Sequence, residues 1–185
     1  SENATLAQKP TNMSFVEAAA VPLGGLNALH YLMKAHIQEG EKVLVNGAGG
    51  SIGTFGIQIA KTLGAEVTAV DSGIKEEMLL GIGADHFIDY TKRDFKKNVG
   101  HYDVIFDMVA GGGYSACVKS LKPNGRYLMA NPRLSYMFRS VITSKFTNKK
   151  AFFAFAGERV DELEALREMI EQGKLKSAID REYRL

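Results

Sequence analysis

Four glycines that follow a predicted strand are the residues of this sequence best suited to chemistry. Gly47, Gly49, Gly50 and Gly53 come after the β-branched run at residues 42–46 and open a helical pattern of apolar residues. Glycine lets the backbone turn tightly, and it lets an anion approach the N–H groups of a helix N-terminus. Unpaired donors and the helix dipole favour negative charge there. The spacing therefore predicts a phosphate-binding turn.

An acidic residue extends this motif. The helix after the glycines ends at Gly64, and the next apolar run, residues 66–70, is followed by Asp71. A dinucleotide-binding unit has this order of elements: a strand, a glycine turn, a helix and a second strand. An acidic residue follows about 20 residues after the glycines. The spacing at positions 47, 50 and 53 is G-x-x-G-x-x-G. A glycine-rich turn without a ligand is the alternative, and such turns do not ordinarily need so many glycines.

Composition indicates a globular protein with a substantial core. Of the 185 residues, 45% are hydrophobic and 24% are charged, and the net charge of +2 predicts no nucleic-acid partner. Cys117 is the single cysteine, and the four histidines show no metal-ligand spacing, so no metal site is predicted. Because no apolar run approaches 18 residues and no signal peptide is present, no membrane partner is expected and the cytoplasm is the predicted compartment.

Strands and helices alternate six times along the sequence. This pattern predicts an α/β fold with a doubly wound, six-stranded parallel sheet in the Rossmann order 3-2-1-4-5-6. A ligand is expected at the switch point beside the first strand. One helix is expected to carry Leu26, Leu29, His30 and Met33 on one face. The predicted strands cover residues 42–46, 66–70, 86–89, 102–106, 126–130 and 151–156, and the predicted helices cover 15–20, 22–36, 52–63, 75–80, 114–121, 134–143 and 160–172.

The sequence resembles the medium-chain dehydrogenase/reductase superfamily, specifically its quinone oxidoreductase-like branch. Five segments in the family's order carry the resemblance: AAAVPLGGLNAL (18–29), VLVNGAGGSIG (43–53), GADHFIDY (83–90), YDVIFDMV (102–109) and LKPNGRY (121–127).

This resemblance implies a domain division. The family places a nucleotide-binding domain between two segments of a GroES-like catalytic part. Residues 1–13 are then expected to be a remnant of the first catalytic segment, and residues 14–173 the dinucleotide-binding domain. Residues 174–185 are expected to be an extended tail leading to a second catalytic segment that this sequence lacks.

The resemblance also implies a function, which is hydride transfer between a nicotinamide cofactor and a quinone, enone or related carbonyl substrate. This stretch alone is not expected to complete the active site, and no catalytic residue is assigned. A homodimer is left open. Asn27 is expected near the nicotinamide, or else as a surface residue, and the ends of later strands are expected to hold the carboxamide and the adenosine ribose. The candidate cofactor-binding residues are Asn27, Gly47, Gly49, Gly50, Ser51, Ile52, Gly53, Asp71, Ser72, Lys75, Tyr90, Asp107, Val109, Ala130, Asn131, Phe153 and Phe155.

Asp71 and Lys75 make opposite predictions about the dinucleotide. An acidic residue after the second strand commonly binds the ribose 2′-OH, which favours NAD(H). The resemblance instead assigns Lys75 and Tyr90 to the 2′-phosphate of NADP(H), while Asp71 turns away to accept N–H groups of Ser72 or Gly73. We therefore expect NADP(H), with NAD(H) as the alternative.

Two other functions stay open at this point. One is a non-catalytic module that senses NAD(P). The other, less favoured, is an S-adenosylmethionine-dependent methyltransferase, which also combines a glycine turn with an acidic residue after the second strand. The long glycine spacing and the segment at residues 83–90 count against the methyltransferase.

Overall fold

The computed structural model describes residues 6–110, 113–154 and 159–182. In these residues six parallel strands form one sheet in the order β3-β2-β1-β4-β5-β6. The doubly wound α/β sheet and its predicted order are confirmed. The strands are β1 (Lys42–Asn46), β2 (Glu66–Asp71), β3 (His86–Asp89), β4 (Tyr102–Asp107), β5 (Leu121–Met129) and β6 (Lys150–Phe153).

Helices cover both faces of the sheet. Each face of the sheet has its own apolar cluster. The cluster on the first face contains residues of α2, α3, α4 and α7. The cluster on the second face contains residues of α5, and α6 packs against that cluster. The helices are α1 (Phe15–Ala19), α2 (Val21–Ala35), α3 (Ser51–Thr62), α4 (Glu76–Gly81), α5 (Tyr114–Ser120), α6 (Leu134–Phe146) and α7 (Val160–Glu171). Short 3₁₀ helices lie at Gly73–Lys75 and Phe95–Lys97.

The central strand β1 shows why the strands read as continuous apolar runs. Val43 and Val45 belong to the cluster on one face, and Leu44 belongs to the cluster on the other. All three side chains are fully buried. Successive residues of a strand point to opposite faces, so a parallel sheet covered on both sides needs apolar residues at every position.

Strand β5 starts earlier than predicted. Its pairing with β4 jumps from Tyr102–Leu121 to Val104–Arg126, so the residues between Leu121 and Arg126 form an irregularity inside the strand. Asn124 has a left-handed φ of 62° there. The chain pairs with β4 on both sides of this irregularity, as a bulged strand does.

Other boundaries and placements also differ from the predictions, most of them by a single residue. Helix α6 continues to Phe146, three residues past its predicted end. Strand β6 begins at Lys150, and the predicted positions 155 and 156 lie outside the described residues. Met33 is 56% exposed, because α2 buries Leu32 and Ala35 instead.

Segments beyond the predicted domain limits pack on the same core. Met13 and Leu175 are 8% and 3% exposed and belong to the first apolar cluster. The side chain of Asn12 donates to the carbonyl of Ile170 at 2.8 Å. The limits 14 and 173 stay predictions. Residues 174–182 form no helix or strand, and their assignment as a tail that leads to a further segment also stays a prediction.

Gly53 is expected to be essential for the fold. A Cβ at this position would lie 2.5 Å from the Ala48 carbonyl oxygen and 2.6 Å from that of Gly47, both backbone atoms. Gly53→Ala should therefore lower the free energy of unfolding by about 1–3 kcal/mol, measured by urea denaturation. Gly81→Ala is the control, because a Cβ there meets nothing within 4 Å and should stabilise α4 by about 0.5–1 kcal/mol. Equal effects of the two substitutions would contradict this account.

Candidate dinucleotide site

The glycine turn lies at the carboxyl end of β1 and is fastened to β2. Gly47 has a left-handed φ of +81°, and the N–H groups of Gly47 and Ala48 both donate to the Val70 carbonyl at 3.1 Å. The Gly50 N–H donates back to the Gly47 carbonyl at 3.2 Å, and Gly50 is the N-cap of α3. The chain therefore reverses within a few residues and directs α3 across the sheet.

The first turn of α3 presents free hydrogen-bond donors. The first helical N–H bonded to a carbonyl is that of Thr54, at 2.9 Å from the Gly50 oxygen. Among the described residues, no acceptor is bonded to the N–H groups of Ser51, Ile52 or Gly53, and Gly50 has no capping side chain. Three donors and the positive end of the helix dipole thus point to the same side of the turn.

Space above the turn is open where an anion would approach. A Cβ on Gly50 would meet only the Gly47 carbonyl oxygen, at 3.6 Å, which is an ordinary contact. Nothing within the described protein therefore requires glycine at position 50. At Gly53, by contrast, the close backbone contacts described above require it. Gly53 is therefore required by the packing of the fold, whereas Gly50 leaves free space beside the helix.

Asp71 is directed into the turn and not into solvent. The residue is 8% exposed; Oδ2 accepts the Gly49 N–H at 2.7 Å, and Oδ1 accepts the Ser72 N–H at 2.8 Å. The sequence-based expectation that Asp71 accepts a neighbouring N–H group agrees with this arrangement for Ser72. The contact with Gly49 was not anticipated, because it joins residues that are 22 positions apart.

These hydrogen bonds determine the ionisation of Asp71. Burial opposes the charged form, but the N–H groups of Gly49 and Ser72, together with Lys75, outweigh it and hold the pKa of Asp71 below its ordinary value. The carboxylate is therefore charged and fully engaged at neutral pH. It links the end of β2 to the glycine turn.

Lys75 lies across the same turn. Its ammonium is 3.3 Å from Asp71 Oδ1 and 3.4 Å from the carbonyl of Gly49, and the side chain is 40% exposed. A Cβ on Gly49 would lie 2.2 Å from Lys75 Cδ. The lysine stem therefore packs directly on the backbone of Gly49.

Two cavities flank this arrangement. The first has a volume of about 640 Å³ and extends from Gly47 and Asp71 to Tyr90 and Val109, all four of them predicted site residues. Residues that the sequence reasoning missed complete it: Asn46, Val70, Arg93, Asp94, Phe95 and Lys96. The sequence could have indicated residues 93–96 as part of the site, because they follow the end of β3 at the same edge of the sheet.

The second cavity, of about 740 Å³, lies on the side of the turn where α3 begins. Gly49, Gly50, Ser51 and Lys75 line it. The remaining walls were missed, since they come from α3, from residues 74–78 and from the C-terminal segment: Thr54, Ile74, Met78, Ala178, Ile179 and Asp180. Nothing in the spacing of the C-terminal residues indicates that they return to the glycine turn.

Asp107 lies beneath the first cavity, and its carboxylate accepts hydrogen bonds from groups of the protein. It is 4% exposed, and its carboxylate accepts the Asn46 side-chain amide at 2.8 Å, the Val109 N–H at 2.9 Å and the Tyr127 hydroxyl at 2.6 Å. Burial raises the pKa of Asp107, although these three donors oppose the rise. Its side chain therefore joins β1, β4 and β5.

Other predicted residues lie further from the turn. Asn27 is on α2 and donates to the Leu23 carbonyl of its own helix at 2.8 Å. Ala130 follows β5 and donates its N–H to the Asp107 carbonyl at 2.9 Å, and Asn131 beside it is exposed. Phe153 ends β6 and packs against the second apolar cluster, while Phe155 lies outside the described residues. The cofactor roles of these residues stay predictions.

Tyr31 has no proton to offer a substrate. It is 1% exposed, and its hydroxyl is bonded to the Met129 carbonyl at 2.8 Å and to the backbone of Ala154. Burial raises the pKa of Tyr31. The hydroxyl thus fixes the ends of β5 and β6.

The fold and this site define a class, the Rossmann-type nucleotide-binding domains of dehydrogenases. The family model for "Zinc-binding dehydrogenase" matches residues 82–185, and the chain belongs to that family, within the medium-chain dehydrogenase/reductase superfamily. In residues 6–110, 113–154 and 159–182, no three His, Cys, Asp or Glu side chains are grouped to hold a metal ion. The described residues therefore do not fit a zinc site.

Several proteins named as oxidoreductases are similar in sequence to this chain. The chain is 36% identical over 182 residues to 2-methylene-furan-3-one reductase of Solanum lycopersicum, covering 97% of this chain and 43% of that protein. It is 34% identical over 183 residues to a chloroplastic NADPH-dependent alkenal/one oxidoreductase of Arabidopsis thaliana, with the same coverage. The structure of the quinone oxidoreductase from Coxiella burnetii superposes with a TM-score of 0.83 at 28% identity, covering 94% of this chain and 55% of that one. The chain thus spans about half the length of these relatives.

None of the helices in the described part of the chain is both long enough and apolar enough to cross a bilayer.

Acid unfolding should test the role of Asp71. Because its pKa is lowered in the folded state, the ionised carboxylate stabilises the protein above its ordinary pKa of 3.8, and that contribution is lost as the pH falls through the lower folded-state value. Asp71→Asn should cost about 1.5–3 kcal/mol at neutral pH, the usual contribution of hydrogen bonds to a charged group. Urea unfolding at a series of pH values should show the two proteins converging in acid.

The matched control is Asp180→Asn, whose carboxylate is 87% exposed. It should leave the free energy of unfolding nearly unchanged at neutral pH. A constant difference between wild type and Asp71→Asn down to the most acidic pH would show that the carboxylate charge is irrelevant.

Proposed function

We propose that this chain is the NAD(P)(H)-binding domain of an oxidoreductase that transfers hydride between a nicotinamide cofactor and a quinone, enone or related carbonyl substrate. The observation that carries the proposal is the first turn of α3, with three unpaired N–H groups and open space at Gly50. This turn lies where the strand order reverses between β1 and its neighbours β2 and β4, the switch point at which such sheets bind nucleotides.

Names of the relatives support the chemistry. The Solanum protein is named as a reductase of a methylene-furanone, and the Arabidopsis protein as an oxidoreductase of alkenals and enones. The Coxiella protein is a quinone oxidoreductase. All three names describe reduction of a conjugated carbonyl system or a quinone. Because the chain spans only part of each relative, activity of the whole protein on this substrate class is our proposal.

The residues of this chain fit a dinucleotide in two parts. N–H groups of Ser51 and Ile52 are suited to bind a pyrophosphate in the second cavity, and Gly50 leaves the space that such a group requires. The first cavity, beside Gly47 and Val109, has a volume and apolar lining suited to an adenosine. When bound, a nicotinamide cofactor supplies the hydride, while the protein binds and orients it.

We favour NADP(H) over NAD(H). Both oxygens of Asp71 are bonded to N–H groups of the protein, which leaves the carboxylate poorly placed to accept a ribose 2′-OH. Lys75 borders the cavity that contains the glycine turn and keeps 40% of its side chain exposed. Tyr90 is 60% exposed at the neighbouring cavity. A 2′-phosphate would attract the Lys75 ammonium away from Asp71, and the relative from Arabidopsis is named NADPH-dependent.

Several expectations remain part of this proposal. The cytoplasm stays the predicted compartment, although the name of the Arabidopsis relative places that protein in the chloroplast. A homodimer, the absence of a nucleic-acid partner and the domain limits at residues 14 and 173 likewise stay predictions.

Gly50→Val tests the proposed phosphate site. Gly50 has extended backbone angles, with φ −88° and ψ 169°, which a β-branched residue adopts readily. The variant should keep its fold, and its affinity for both NADPH and NADH should fall at least about tenfold, because the side chain would fill the space beside the α3 donors. Isothermal titration calorimetry measures the affinities, and circular dichroism checks the fold.

Gly100→Val is not a suitable control, because Gly100 has a left-handed φ of +64°. Gly81→Ala is preferable, since it lies away from both cavities and meets no neighbouring atom. It should bind both dinucleotides normally. Unchanged affinity in a folded Gly50→Val variant would show that the ligand binds elsewhere, and binding of S-adenosylmethionine alone would favour the methyltransferase alternative.

Lys75→Ala tests the cofactor preference. Loss of the ammonium should weaken NADPH binding about tenfold or more and leave NADH binding nearly unchanged, since a charge pair near a protein surface is worth roughly 1–4 kcal/mol. Lys92→Ala removes the same charge near Tyr90, but its side chain is 81% exposed and lines neither cavity. That variant should bind both cofactors normally. Equal losses of NADPH and NADH affinity in Lys75→Ala would refute the assignment.

A further inference from the structure

Arg93 lies at the first cavity and has no acidic partner in the described part of the chain. It belongs to the segment after β3 and lines the cavity of about 640 Å³ together with Asp71 and Tyr90. None of the ion pairs among described residues includes it. A guanidinium that borders a cavity without a carboxylate beside it is suited to an anionic ligand.

Two carboxylates close to Arg93 in the sequence are engaged by other groups. Asp89 accepts both the N–H and the hydroxyl of Thr91, at 2.9 and 2.7 Å. Asp94 accepts the Lys96 N–H at 3.0 Å and also pairs with the Lys96 ammonium at 3.6 Å. Because these contacts hold both carboxylates, the Arg93 guanidinium stays available to a ligand in the cavity.

A tight turn fixes the backbone of Arg93 beside the end of β2. The N–H groups of Lys92 and Arg93 both donate to the Asp89 carbonyl, at 3.1 and 2.9 Å, so the chain reverses directly after β3. The Tyr90 N–H donates to the Asp71 carbonyl at 3.2 Å, which fastens the start of this turn to β2. The fold therefore brings Tyr90 and Arg93 to the strand end at which Rossmann-type domains bind the adenosine ribose.

Arg93 and Lys75 border different cavities. Arg93 lines the first cavity, Lys75 lines the second, and Asp71 lies between them at the end of β2. With a pyrophosphate at the start of α3 and an adenosine in the first cavity, the adenosine ribose lies near Asp71. The two cations would then reach an anionic group on this ribose from opposite sides.

We propose that Arg93 binds the 2′-phosphate of NADP(H) and, with Lys75, determines the preference over NAD(H). This role rests on the proposed function and adds a residue to its cofactor specificity. A guanidinium forms two parallel N–H bonds to a phosphate, which an ammonium cannot do. The ribose 2′-OH of NAD(H) is uncharged and gains little from a neighbouring cation. Stacking of Arg93 on the adenine ring is the competing role, and it predicts equal dependence of both cofactors on Arg93.

Isothermal titration calorimetry of Arg93→Gln tests this role. The variant should bind NADPH at least about fivefold more weakly than the wild type, the usual loss for a hydrogen bond to a charged group, and should bind NADH with nearly unchanged affinity. Adenosine 2′,5′-bisphosphate should lose affinity by a similar factor, because it carries the 2′-phosphate without the nicotinamide. Circular dichroism checks the fold, which should be retained because Arg93 is exposed.

Three matched variants separate the phosphate contact from a general effect of charge. Lys97→Gln removes an exposed cation of the same segment that lines neither cavity, so it should bind both cofactors normally. Arg93→Lys keeps the charge without the planar fork and should lose less NADPH affinity than Arg93→Gln. Arg93→Gln combined with Lys75→Ala should bring the NADPH affinity close to that for NADH.

Failure of this role and failure of the proposed function give different results. If the wild type binds NADPH and Arg93→Gln loses no affinity for it, or loses NADPH and NADH affinity equally, the 2′-phosphate contact is refuted while the proposed function stands. A wild type that binds NADH but not NADPH refutes the contact in the same way. A wild type that binds neither dinucleotide refutes the proposed function and the role of Arg93 together.

Discussion

The contact of the glycine turn with the second strand is the constraint on which the site depends. Backbone N–H groups of Gly47 and Ala48 share the Val70 carbonyl, and Asp71 continues this attachment by accepting the Gly49 N–H. The turn is therefore fixed to the neighbouring strand before any ligand binds. Because α3 starts at the end of this turn, the position of its free N–H groups follows from contacts within the protein. A site that is already ordered loses less conformational entropy on binding.

A second buried carboxylate stabilises the other side of the switch point. Asp107 receives the Asn46 amide from β1 and the Tyr127 hydroxyl from β5, so it joins three adjacent strands at their carboxyl ends. Burying a charge is costly unless hydrogen bonds satisfy it, and three donors do so here. Cys117 lies close to this network. Its burial, together with the Asp107 charge, raises the pKa of the Cys117 thiol to about 12, which keeps the thiol protonated and unreactive. The floor of the first cavity is thus a rigid polar network and not a reactive centre.

Regular features of the fold could be predicted from the sequence, because they depend on local patterns. Alternating helices and apolar strands gave the strand order, and the left-handed Gly47 and Gly64 were recognisable as turn positions. Long-range contacts could not be predicted. The bond between Asp71 and Gly49, the packing of Lys75 on Gly49 and the approach of residues 178–180 to the glycine turn depend on side-chain direction. Periodicity determines which face a residue occupies, but it does not determine which donor its side chain meets.

Helix α6 shows where local pattern and tertiary environment disagree. Its sequence has a clear apolar stripe, from which one would expect a buried helix, yet Phe138 and Phe146 are 75% and 74% exposed. Sequence and structure agree in the sheet, where the apolar strands are buried, whereas exposed apolar side chains lie on helices, on α6 and also on α1, where Phe15 is 83% exposed. Natural proteins keep such violations mainly where a function requires them. The glycine turn is the same kind of exception in the backbone, since unpaired N–H groups at the start of a helix also need a partner from outside the fold. Both exceptions leave groups that the domain itself does not satisfy, amide donors in the first turn of α3 and apolar side chains along α6.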